Sequence, residues 1–203
     1  MDATGGFFCD RKEMDWILAS ASPRRKQLFK EIVPCFEIQP AKGEEKVDES
    51  LSPDRQCLAL ACQKAREVYE ATGRGKYVLG SDTVVAIDGQ VLGKPKDEQD
   101  AKRMLKLLSG RVHEVFTGVC MIAPDGREIA EVDGTQVRFY PLTDEFIDRY
   151  VKGGSPMDKA GAYGIQDGGL VEEIIGSYSN VVGLPQELCK KMFTTITSAE
   201  EKR

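Results

Sequence analysis

The residues of this chain best equipped for chemistry are charged or hydroxylic groups set in short apolar or glycine-rich frames. The first set is Ser20-Ala21-Ser22-Pro23-Arg24-Arg25, which follows the apolar run Trp16-Ile17-Leu18-Ala19. Ser22 suits an N-cap and Pro23 the first helical position. A strand feeding a helix N-terminus presents free N–H groups and the positive end of the helix dipole. Two hydroxyls and two guanidiniums added there suit a phosphate-bearing anion, although the spacing equally fits a capped helix with solvated arginines. In Gly80-Ser81-Asp82-Thr83 a carboxylate interrupts an apolar strand. A charge there is costly unless paired, metal-bound or in a cleft. Asp82 could hold a divalent ion or activate water, or make turn hydrogen bonds at a strand end.

Further candidates come one at a time. Lys64 borders an apolar helical stripe, where an ammonium reaches a site or snorkels over the core rim. Lys94 sits between Gly93 and Pro95, which aims its charge but is also common in plain turns. Glu44 and Glu45 lie in a polar loop and are solvated unless the fold brings them to a ligand. The segment Asp158-Lys159-Ala160-Gly161-Ala162-Tyr163-Gly164-Ile165-Gln166 is glycine-rich, which permits close backbone approach to a ligand. Gln166 offers a donor and an acceptor that can read the edge of a base. His113, the single histidine, reads as a strand residue and not as a catalytic base.

The elements that must position these groups follow from periodicity. Strands are expected at 16–19, 35–38, 77–87, 91–92, 112–123, 127–140 and 170–175. Helices are expected from 23, from 53 to the glycines at 73 and 75, around 101–108, after Thr143, and from 186 to about 195. The hairpin signal Asp88-Gly89 joins two of the strands, and residues 180–185 read as a loop. Strands and helices alternate, with hairpins in the middle, so the expected fold is a mixed α/β sheet flanked by helices. One domain over 15–197 is expected, with a flexible extension at 1–14 and a tail at 198–203.

Composition removes several function classes. The 203 residues carry 41% hydrophobic and 30% charged side chains, as in a globular protein. No apolar run approaches the ~20 residues of a membrane helix. The net charge is −5 and the densest basic run is Arg24-Arg25-Lys26, too short for a nucleic-acid track. Neither a membrane nor a nucleic acid is therefore an expected partner. Six cysteines lack C-x-x-C spacing, so reduced thiols in a cytoplasmic protein are the expectation. One histidine cannot build a multi-histidine metal site, and P-loop, dinucleotide and nucleophile-elbow motifs are missing.

Taken together, these segments resemble the Maf-like nucleoside triphosphate pyrophosphatases. The matching pieces include Leu18-Ala19-Ser20-x-Ser22-Pro23-Arg24-Arg25, Gly80-Ser81-Asp82-Thr83-Val84-Val85, Leu92-Gly93-Lys94-Pro95, Ser109-Gly110-Arg111-x-His113 and Thr117-Gly118-Val119. The series ends with residues 158–166 and Val182-Gly183-Leu184-Pro185. The pieces run in family order over about residues 16–190. The resemblance implies two lobes around a central cleft, similar to the inosine-triphosphate pyrophosphatases. It implies Mg²⁺- or Mn²⁺-dependent cleavage between the α- and β-phosphates, with Asp82 as proton acceptor and Glu44, Lys64 and Lys94 as the other charged cleft groups. Asp82 and Glu44 would be the metal ligands. Ser20, Ser22, Arg24, Arg25 and Lys159 would bind the substrate. Arg24, Thr83 and Gln166 match the family's dTTP/UTP group, whereas its 7-methyl-GTP group tends to carry Trp, Gln and Glu. Many relatives have an acid at the position of Ser155. The resemblance also makes a homodimer an expectation, and it leaves a second reading, a nucleotide-binding regulator of cell division with incidental hydrolysis.

Overall fold

The computed structural model describes residues 15–72 and 75–198. The extension expected at 1–14 lies outside these, as do the tail residues beyond Ser198. In chain order the elements are β1 (Trp16–Leu18), α1 (Pro23–Lys30), β2 (Glu37–Ile38), α2 (Pro53–Ala71), β3 (Tyr77–Ile87), β4 (Gln90–Leu92) and α3 (Glu98–Leu108). They continue with β5 (Val112–Ile122), β6 (Glu128–Phe139), α4 (Asp144–Lys152), β7 (Val171–Ile175), α5 (Tyr178–Val182) and α6 (Gln186–Thr197). Three 3-10 turns lie between α4 and β7.

Seven strands form one mixed sheet in the order β2-β1-β3-β5-β6-β7, with β4 paired to β3. β1 runs parallel to β2 and β3, and the remaining pairs are antiparallel. The expected mixed sheet flanked by helices is the fold that forms. Asp88 and Gly89 both take positive φ, as a two-residue hairpin with the strands' own twist demands.

Three clusters of buried side chains divide the sheet into lobes. α2 covers one face of β1, β3 and β5 through Ala61, Cys62, Ala65 and Val68. The other face at that end packs Trp16, Leu79 and Met121 on Phe29 of α1 and Met192 and Ile196 of α6. The far ends of β3 and β5, with Val85, Ile87 and Val115, pack against Leu105 and Leu108 of α3 and Ile147 and Val151 of α4. β3 and β5 are long enough to serve both lobes, and Ser81-Asp82-Thr83 falls midway along β3, where the lobes part.

Two local expectations differ from the outcome. Residues 178–182 form the short helix α5, which takes in the first part of the 180–185 stretch expected as a loop. Ser177 caps it by accepting from the Asn180 N–H at 3.2 Å, and Asn180 is anchored from within the core. Cys35 is disulfide-bonded, contrary to the expectation of reduced thiols throughout. Cys57, Cys62, Cys120 and Cys189 are free and buried.

His113 is a core residue, as its strand position suggested. Its Nε2 lies 2.8 Å from the Tyr163 hydroxyl, Phe139 and Tyr163 meet it edge-on, and Nδ1 has no hydrogen-bond partner among the described residues. Burial lowers its pKa from 6.5 to about 4. The folded state therefore binds fewer protons than the unfolded chain between these values, so stability falls as pH drops from about 6.5 towards 4. The full difference is about 3 kcal/mol. Denaturant titrations at stepped pH should show this slope in the wild type and a flatter one in His113→Gln. Equal slopes would contradict the buried neutral imidazole.

Candidate active site

A cleft of about 420 Å³ opens where the lobes part. One wall is the start of α1. Ser22 accepts a hydrogen bond from the Arg25 N–H at 3.4 Å, and Pro23 opens the helix, so the expected capped turn is present. Arg25 is braced from several sides. Its Nε donates to the Gly183 carbonyl at 2.8 Å, and its guanidinium donates to Thr83 Oγ1 at 2.9 Å and to Ser20 Oγ at 3.5 Å. Burial lowers its pKa, with the Asp82 charge opposing that shift, and an arginine stays protonated under such a load.

Behind Arg25 runs a hydrogen-bond relay. Thr117 donates its one hydroxyl proton to the Asn180 carbonyl at 2.9 Å. The 3.0 Å contact between Thr83 and Thr117 must then use the Thr83 proton. Thr83 accordingly accepts from Arg25 and donates to Thr117, so its hydroxyl is committed to holding the arginine. Asn180 is fixed in turn by bonds from Nδ2 to Val115 O and Thr135 Oγ1, both 2.9 Å. Thr117, Thr135 and Asn180 carry no charge, and although Thr117 belongs to one of the resembling segments, only the folded chain reveals the part these three play in the site.

The opposite wall is α2 on the sheet. Strand alternation turns Asp82 towards α2 and Thr83 towards Arg25. Gly80 and Gly118 allow α2 to lie directly on β3 and β5. A Cβ on Gly80 would stand 2.4 Å from the Ala61 carbonyl oxygen, and one on Gly118 would stand 2.7 Å from the Cys57 carbonyl oxygen. Gly118 pairs across the ladder with Asp82 itself. Lys64 thereby reaches Asp82 Oδ1 at 2.5 Å and Glu45 Oε1 at 2.8 Å. The Lys64 and Asp82 side chains are only 16% and 13% exposed, so this pair is largely withdrawn from solvent.

Glu45, and not Glu44, faces the cleft. The loop is laced to α2. The Glu67 carboxylate accepts from the Lys42 and Gly43 N–H groups, while Gln63 accepts from the Lys46 N–H and donates to the Glu44 carbonyl. This fixes the phase, with Glu45 and Val47 lining the cleft and Glu44 outside its lining. Val47 is the one apolar residue in 42–50, and counting by two from it finds Glu45. The hydrogen bond from Lys64 and the charges of Lys64, Lys94 and Arg25 hold the Glu45 carboxyl below its ordinary pKa, against its own partial desolvation.

The remaining candidates surround the mouth. Lys94, Lys159 and Gln166 line the cleft. Asp158 lies 2.8 Å from the Lys159 ammonium and 3.8 Å from the Arg24 guanidinium. These cations, Lys159 foremost, hold its carboxyl below the usual range. Asp158 thus occupies cations that an incoming anion could claim. Ser20 is buried, and its Oγ accepts from the Ser22 N–H at 3.2 Å. Ser155 belongs to a 3-10 turn beside this rim.

Residues 15–196 match the family described as Maf-like protein. A protein of Thermococcus gammatolerans named dTTP/UTP pyrophosphatase is 52% identical over 178 residues, 87% of this chain and 94% of its own. One of Carboxydothermus hydrogenoformans with the same name is 52% identical over 171 residues, 83% of this chain and 91% of its own. Among solved structures, the Ham1 protein of Staphylococcus aureus superposes with a TM-score of 0.52 at 15% identity, covering 89% of this chain and 98% of that one. That likeness concerns the fold alone.

Proposed function

The chain belongs to the Maf-like protein family, and we propose from this that it hydrolyses dTTP and UTP to the monophosphate and pyrophosphate. The observation that carries the reading is the Asp82–Lys64–Glu45 cluster facing a braced arginine and a helix N-terminus across one cleft. Relatives of about half identity carry the matching name.

The chemistry asks mainly for positioning and charge neutralisation. A triphosphate brings about four negative charges to a chain of net charge −5, so binding rests on local charge. The α1 N-terminus, Arg24 and Lys159 receive phosphate oxygens, with Asp158 giving up its cations as they arrive. Arg25, held by Thr83 and Gly183, keeps its charge in place without reorganisation. Lys64 and Lys94 face the pyrophosphate as it leaves. A water attacks the α-phosphorus, the bond from that phosphorus to the bridging oxygen breaks, and the water's proton passes to Asp82. Lys64 engages Oδ1, which leaves Oδ2 for that proton. Gln166, at the mouth of the cleft, reads the base side, and a pocket built for one base leaves groups unpaired with another.

The Lys64 ammonium lies between two carboxylates, the place and ligand type that suit a small divalent cation bound by oxygen. Mg²⁺ or Mn²⁺ taking the ammonium's place between Asp82 and Glu45 would neutralise charge on the phosphates and leave Lys64 free to face the pyrophosphate. Glu44 does not line the cleft and is not assigned as a ligand.

The deciding experiment is pyrophosphate release from a panel of natural and modified triphosphates with Mg²⁺ or Mn²⁺. Fast release from dTTP and UTP, with monophosphate as co-product, is the expected result. Preference for 7-methyl-GTP would keep the enzyme class and overturn the base assignment. Nucleotide binding without release from any member would favour the regulator.

A further inference from the structure

A second cluster of ligating side chains lies away from the cleft. On the β5–β6 ladder, Cys120 pairs with Ala130 and Ile122 with Glu128. Cys120 and Glu128 are therefore diagonal neighbours on one face of the sheet, the face that α2 covers. From α2, Cys62 and Arg66, four residues apart and so on one side of the helix, come down onto them. One oxygen of Glu128 and the two thiol sulfurs all lie within 4.8 Å of one another. Cys62 and Cys120 are free and buried. None of these residues lines the cleft.

We propose that Cys62, Cys120 and Glu128 form a binding site for a thiophilic divalent cation of the zinc class, joining α2 to β5 and β6. Thiolate sulfur prefers borderline-soft metals, whereas Mg²⁺ and Mn²⁺ seek oxygen, so this site and the cleft select different ions. A tetrahedral centre with metal–sulfur bonds of about 2.3 Å keeps its ligand atoms under about 4 Å apart. The three atoms need to close by about an ångström at most to meet it. A fourth position is left for water.

Charge and outer contacts fit as well. Two thiolates and one carboxylate balance a divalent cation together with the Arg66 guanidinium, so the loaded cluster carries no net charge into a largely buried place. Arg66 donates to Glu128 Oε2 at 2.8 Å and to Oε1 at 2.7 Å. A carboxylate has about four lone-pair sites, so Glu128 keeps Arg66 while it binds a metal. Such outer hydrogen bonds orient metal ligands.

Cadmium is the probe, because its thiolate complexes absorb in the ultraviolet and its carboxylate complexes do not. Titrating the whole chain with Cd²⁺ is expected to raise one charge-transfer band that saturates at one equivalent and is displaced by Zn²⁺. Cys62→Ala and Cys120→Ala are expected to remove it, while Cys57→Ala and Cys189→Ala keep it. Arg66→Met is expected to weaken binding by about 10–100-fold, and Glu128→Gln by at least as much. Glu128 is at the rim, so its variant tests the site even if a buried cysteine variant fails to fold. No band in the wild-type protein, or affinity unchanged in folded Cys62→Ala and Glu128→Gln, would overturn the site. Neither result bears on nucleotide hydrolysis, which has its own assay.

Discussion

Asp82→Asn is expected to lower kcat for dTTP hydrolysis by about 10²–10³-fold, the usual cost of losing one well-placed charged group. The change is nearly isosteric and keeps an oxygen to accept from Lys64, so the walls of the cleft should stay where they are. The proton acceptor and one negative charge are what it removes. Asp82 is partnered by a lysine and is 13% exposed, so bulk water does not readily replace it. Nucleotide binding, measured separately, should change far less than turnover, because the phosphates meet Arg24, Lys159 and the α1 N-terminus first. Retention of more than about a tenth of wild-type kcat, a loss under about 1.4 kcal/mol, would remove Asp82 from this role. The same assay separates the neighbouring acids: Glu45→Gln should lose turnover, and Glu44→Gln should keep it.

Gly80→Ala is expected to destabilise the fold by about 3 kcal/mol, at the upper end of the overpacking range. The added methyl would stand 2.4 Å from the Ala61 carbonyl oxygen and 2.7 Å from the Ala65 nitrogen. Both are backbone atoms in the middle of a 19-residue helix, so no side chain can swing aside and α2 must lift. For a chain of this size the melting temperature should fall by about 10 °C. Activity should fall further than the folded fraction explains, because α2 carries Lys64 away from Asp82. Gly93→Ala is the control. A Cβ there meets nothing within 4 Å among the described residues, and thermal melting should barely change. A Gly80→Ala protein as stable as wild type would show that α2 does not depend on this close approach.

Much of the architecture was legible because its signals are local. Strand β3 was readable from a β-branched run with a polar interruption, α1 from Ser22-Pro23, and the β3–β4 hairpin from Asp88-Gly89. Those patterns rest on backbone sterics and on hydrogen bonds between near neighbours, which act wherever the segment finds itself. Helix α5 was not legible. Five residues are too few to show a period, and its Asn180 is held by β5 and β6, which are far away in sequence.

The site divides along the same line. Asp82, Lys64, Lys94 and Arg25 are conspicuous as residue types, since a charge in an apolar or rigid frame needs a reason. The choice between Glu44 and Glu45 was not conspicuous, because two adjacent acids in a polar loop look alike until Gln63 and Glu67 fix the loop's phase. Thr83 entered through the resemblance as one of three positions matching the dTTP/UTP group, and its place between Arg25 and Thr117, where it braces the arginine, was not legible.

By itself the sequence determined most of the secondary structure, the sheet class and the inventory of chemical groups, because each is written in spacing over a few residues. Only the tertiary structure decided which of those groups meet. Lys64 finds Asp82 because two glycines, Gly80 and Gly118, become diagonal neighbours on one face when β3 pairs with β5 and let a helix lie flat on the sheet. A glycine in sequence is silent about what it makes room for, and close approach is a property of two surfaces, each of which is complete only when the chain has folded.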